Sequence, residues 1–140
     1  MRLVAGLVAL CGVASADSAR RRYTLEPQEL ADAYDFDRKT RLDPCGPDAL
    51  EFLSKLGTLR IDTKGRDILV NGEVWPLWKD QPEGMTIVVR DDLLKGLLVA
   101  INFERHKGGR AIGSVGVVAL GPKDTLKCGS ARVLSGRYAK

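Results

Sequence analysis

The hydrophobic pattern changes character near residue 58. Before it, apolar residues recur at helical spacing. After it, they alternate with polar ones. Leu50, Leu53 and Leu56 recur at every third position between Cys45 and Gly57, which predicts a helix of about two turns ending at the glycine. A first short helix is predicted from Thr24 to Tyr34. Thr24 would cap it, Pro27 would sit in its first turn, and Leu30 and Tyr34 lie four apart.

From Thr58 the alternation predicts strands. Leu59 and Ile61 alternate with Arg60 and Asp62, and Ile68 and Val70 with Asp67 and Asn71. Asn71-Gly72 is a hairpin signal. The run Glu73 to Lys79 contains Pro76, which cannot donate a ladder hydrogen bond, so an edge, a bulge or a very short strand is predicted there. Met85 to Arg90 reads as a further strand. The clearest hairpin runs from Gly96 to Gly121: two apolar runs flank a charged tip, Arg105 to Arg110, that holds two glycines. Apolar residues of both parities in these runs predict a sheet covered on both faces, near the middle of the fold. A last strand lies within Thr125 to Tyr138. Links of about two to five residues favour antiparallel neighbours, because parallel crossovers need about a dozen.

The chain start divides this picture. Arg2, the apolar run Leu3–Val13 and Ala14-Ser15-Ala16 form the pattern of a cleaved secretory signal over 1–16, too short for a mature membrane span. An uncleaved anchor and lipidation at Cys11 are the alternatives, and Leu10 argues against the second. Residues 17–44 then read as a polar N-terminal segment with the first short helix, and 45–140 as a single domain of helix plus antiparallel sheet. Of the 22 basic residues the signal removes Arg2, leaving 21 against 18 acidic, a net +3. That is too small a charge to argue for nucleic acid. Arg20-Arg21-Arg22 is the one basic cluster and reads as a solvated tail, with an anionic-surface tether or a processing site as sharper alternatives.

Without the signal, Cys45 and Cys128 remain, and an even pair in an exported chain reads as one disulfide. Free thiols or a metal site are the alternatives, though two cysteines and the single histidine, His106, match no zinc-ligand spacing. A bond would draw the start of the strand series to its last strand, and a meander whose ends meet is a closed or nearly closed barrel. The fold class expected is therefore mainly β (α+β): a small antiparallel meander, closed or nearly closed, preceded by one or two short helices.

No catalytic constellation stands out. His106 lies between Arg105 and Lys107 in the hairpin loop, where a general base would be unburied. Ser114 sits in no nucleophile elbow, and the carboxylate pairs Glu26/Glu29, Asp35/Asp37 and Asp91/Asp92 fall in segments that read as exposed. No metal or cofactor is implied. The binding candidates are Trp75 and Trp78, as an aromatic wall or as core plugs, and Arg105, His106 and Arg110, as a basic rim or as ordinary loop residues.

A helix, a meander and a tie near the C-terminus resemble the general plan of small secreted calycin-type barrels, which implies an antiparallel barrel. Gly57-Thr58-Leu59 stands where lipocalins carry Gly-x-Trp, and Ser135-Gly136-Arg137-Tyr138 is similar to a short element of bacterial lysozyme-inhibitor barrels, with different spacing. Neither likeness assigns a family or a site residue. The expectation is a secreted or periplasmic non-enzymatic binding domain. Its ligand would be a small apolar molecule inside the barrel. Alternatively it is a protein-interaction module, such as an inhibitor or envelope-associated factor. The sequence is silent on oligomeric state.

Overall fold

The computed structural model describes residues 21–35, 37–80 and 85–139. The predicted signal at 1–16 lies outside the described residues.

The alternating pattern builds most of the molecule. The strands are β1 (Arg21–Asp32), β2 (Tyr34–Asp35), β3 (Thr40–Arg41), β4 (Leu59–Lys64), β5 (Asp67–Val70), β6 (Glu73–Trp75), β7 (Leu77–Asp80), β8 (Thr86–Leu94), β9 (Leu97–His106), β10 (Arg110–Leu120) and β11 (Leu126–Ala139), with one α-helix, α1 (Pro47–Ser54). Nine strands form one antiparallel sheet in the order β6-β5-β4-β1-β11-β10-β9-β8-β7, and β2 and β3 pair separately. The two edges, β6 and β7, are one run of chain interrupted at Pro76. The sheet thus curls until its edges meet, a nearly closed barrel, as the meander predicts.

Three local expectations are corrected. The segment Thr24–Tyr34 is not a helix. Tyr23 and Leu25 point into the core while Arg22, Thr24 and Glu26 face out, and β1 fits between β4 and β11. A bulge between Pro27 and Leu30 absorbs the proline that had suggested a helix start. The segment expected as a polar lead-in is therefore part of the barrel and precedes α1, and Arg21 and Arg22 open a strand rather than sit in a loose tail. Second, closure does not run through the disulfide. Cys45 and Cys128 are bonded, but it is β1 that joins the two halves, pairing with β4 on one side and β11 on the other. The disulfide ties the start of α1 to β11. Third, the expectation that both faces of the hairpin β9–β10 are covered is not met: among the described residues, no helix lies on its outer face. It is paired on both sides, yet its outward Leu98, Ala100, Ile112 and Val118 are half-buried, and the middle of the sheet is β11.

The interior is filled by side chains. Leu25, Ile61, Val88, Val99, Ile101, Phe103, Val115, Val117 and Leu134 are fully buried there, and the Tyr23 ring meets Phe103 edge-on at 4.7 Å. Such tight curling needs close backbone approach. A Cβ on Gly136 would overlap the carbonyl oxygen of Thr24 across the β1–β11 pair, and one on Gly113 that of Asn102. Helix α1 adds Ala49 and Leu53 to the same core. It extends from the disulfide on β11 toward Leu94 at the end of β8, and so crosses one mouth of the barrel. Arg132 of β11 donates from Nη1 to the carbonyls of Leu53 (2.8 Å) and Ser54 (3.1 Å), capping the helix C-terminus, and from Nε to Gln28 (2.7 Å) beside the β1 bulge.

Candidate functional site

Pro76 separates the predicted tryptophans into different roles. Trp75 lies opposite Ile68 on the inner face, 6% exposed, and plugs the core. Trp78 sits at a break in the β7–β8 register and is 73% exposed. Val74, at 59%, and Leu77, at 43%, are exposed beside it, and Met85 is exposed at the start of β8's approach. The two indoles therefore do not make one wall. Only Trp78 is available to a partner.

The seam between β6 and β8 is held mainly by side chains. Its backbone tie is Val89 N–H donating to the Pro76 carbonyl at 3.1 Å. Arg90 does the rest. Its guanidinium stands 5.5 Å from the Trp75 ring centroid, donates to both carboxylate oxygens of Asp92 (2.8 and 2.7 Å), and lies 3.5 Å from Glu73. The hydrogen bond from Arg90 holds the Asp92 carboxyl below the usual carboxylate range and, reciprocally, raises Arg90 further. Beside this clamp runs an open groove of about 730 Å³, lined by Glu73, Val74, Val89, Arg90, Asp91 and Leu98 among others. Its charged groups are three carboxylates, Glu73, Asp91 and Asp92, against one guanidinium that is already engaged.

The basic trio lies elsewhere, on β9 and β10, with β8 between it and Trp78. It is not a loop. Arg105 and His106 end β9, Arg110 opens β10, and a single turn, Lys107–Gly109, joins them. Arg105 turns toward the mouth of the barrel, its guanidinium 5.9 Å from the Tyr138 ring centroid. His106 lies opposite Arg110, with its Nε2 3.0 Å from Glu104 Oε1.

Sequence reasoning missed Arg90 and Val74, and read Asp91 and Asp92 as a solvated pair. The available signal was period two: Arg90 and Asp92 share a strand face, as any i, i+2 pair in a strand does. Among the described residues, no three or more His, Cys, Asp or Glu gather as a metal site, and no helix is long and apolar enough to cross a membrane. No family model, curated protein or solved structure matches the chain.

Proposed function

We propose that the chain is a non-enzymatic protein-interaction module of an exported protein, docking on its partner through the seam at Pro76. The observation that carries this reading is the exposed indole of Trp78 at the break in β7–β8 pairing, with Val74 and Leu77 also exposed within four residues of it. Exposed aromatic anchors rimmed by polar groups are the usual centre of an interface. The acidic groove at the same seam, which Pro76 also lines, favours a partner that offers an apolar side chain flanked by lysine or arginine. The disulfide supports a compartment more oxidising than the cytosol. The side chains packed into the interior among the described residues support a surface site over a ligand held inside the barrel.

The test is site-specific photo-crosslinking from position 78 in the native host, with Leu30 and Leu120, both exposed, as control positions. The expected result is one dominant adduct from position 78 alone. That adduct should be lost on charge reversal of Asp91 and Asp92, and the purified partner should shift Trp78 fluorescence. A co-purifying lipophilic molecule seen by native mass spectrometry, whose displacement changes Trp75 emission while position 78 gives no adduct, would overturn the surface reading in favour of an interior ligand.

A further inference from the structure

The register places three arginines, with His106 and Thr24, in one row on the wall opposite the seam. His106 of β9 lies opposite Arg110 of β10, Arg110 opposite Arg137 of β11, Arg137 opposite Thr24 of β1, and Thr24 opposite Arg60 of β4. All five belong to the outward-facing parity of their strands, alternating with the buried Phe103, Ala111, Leu134, Leu25 and Ile61. Like charges set directly across a strand pair destabilise a sheet, so Arg110 against Arg137 is a cost with no structural return. Neighbouring carboxylates do not relieve it. Glu104 is with His106, Glu26 accepts from the Thr58 hydroxyl, and Asp62 lies opposite Arg22. Among the described residues, Arg60, Arg110 and Arg137 have no acidic side-chain partner.

We propose that this row binds an extended sulfated polysaccharide laid across the strands. Neighbouring strands put successive cations about 4.8 Å apart, and Thr24, a short hydroxyl between Arg137 and Arg60, leaves a step in the row. An open hollow of about 320 Å³, lined by Arg22, Thr24, Arg60 and Asp62 among others, lies at that step. Guanidinium groups meet the paired oxygens of a sulfate ester with two hydrogen bonds. A single strand of nucleic acid would want aromatic faces along its path, but Tyr23 and Tyr138 turn inward and Trp78 is on the far wall. A bilayer would want exposed apolar side chains beside the cations, and the large exposed ones lie off this row.

The experiment is titration calorimetry of the full chain with a heparin-derived oligosaccharide at about 0.1 M salt. Binding is expected, weakening as salt rises. Arg110→Ser with Arg137→Ser should weaken it roughly tenfold or more, as loss of charge-assisted contacts would. The charge-matched control, Lys95→Ser with Lys123→Asn in turns at the other end of the barrel, should bind as the parent does. The arginine variant should melt no lower than the parent, since it relieves a repulsion, and this separates lost binding from lost fold. The proposal is overturned if the parent does not bind, or if the control loses as much as the arginine variant. It is also overturned if a single-stranded oligonucleotide or anionic lipid vesicles bind more tightly and displace the sugar.

Discussion

The seam at Pro76 and the wall centred on β11 use the same kind of strand but solve the same problem differently. On the wall, backbone pairing is continuous: β11 is matched to β10 from Arg137 down to Leu126, and to β1 from Ala139 down to Ser130, with one register shift in each pair. The ladder holds the structure, and outward side chains are free to carry unpaired charge. At the seam the ladder lapses. Arg90 replaces it by gripping Trp75, Asp92 and Glu73, and the apolar residues around it stay in water. Backbone hydrogen bonds thus decide where side chains are structural and where they are available.

Substitutions can break that comparison. The largest contrast is within the seam. Trp75→Ala should cost about 4 kcal/mol by emptying the core, whereas Trp78→Ala should stay within about 0.5 kcal/mol. Chemical denaturation of both variants measures this, and equal losses would make Trp78 a packing residue and remove the docking site. On the wall, Gly136→Ala should cost about 3 kcal/mol or more, because the added carbon meets the rigid Thr24 backbone rather than a movable side chain. A near-neutral result would mean that the wall yields as readily as the seam. Arg132→Met should cost about 2 kcal/mol by uncapping α1, again read from denaturation midpoints, with the loss growing little at high salt because direct hydrogen bonds are what is removed.

The smallest effect is in acid. Asp35 and Asp92 are each held below their ordinary value of 3.8, chiefly by hydrogen bonds from Arg38 and Arg90 respectively. Lowered folded-state values mean that each contributes stability above pH 3.8, lost as pH falls through the folded value. Asp35 also accepts from the backbone N–H groups of Asp37 and Arg38, and its side chain is 7% exposed against 61% for Asp92. Melting curves between neutral and strongly acidic pH should therefore flatten more in Asp35→Asn than in Asp92→Asn. The reverse order would place the tighter ion pair at the seam.

What was legible from the chain follows physical locality. Strands whose faces differ, such as Leu59–Ile61 against Arg60–Asp62, announce themselves by alternation. The hairpin turn at Asn71-Gly72, whose residues tolerate positive φ, and the edge at Pro76, which cannot donate to a ladder, are set by local backbone preference. The disulfide partners follow from there being two cysteines once the expected signal is set aside. Segment 24–34 was misread because its local cues, a threonine, a proline and a spacing of four, favour a helix, while the pairing that makes it a strand comes from residues far along the chain. The site was half legible for the same reason. The two tryptophans are visible as a pair, but which one faces inward depends on the break at Pro76. The row His106, Arg110, Arg137, Arg60 exists only once register is known, because its members come from four strands scattered over the chain.

The position of β1 also has a consequence for the order of events. Its partner β11 follows the other described strands of the sheet in the chain, with Arg22 set against Ala139, so the ring cannot shut until the chain has been made through β11. Contacts of this range make assembly slow compared with local hairpins. During synthesis β1 can pair with β4 once that strand is made, but its other edge must wait for β11 while the segments between Leu59 and Leu120 form their local turns. Until then the sheet is an open ribbon, and it locks into a ring only when β11 reaches β1.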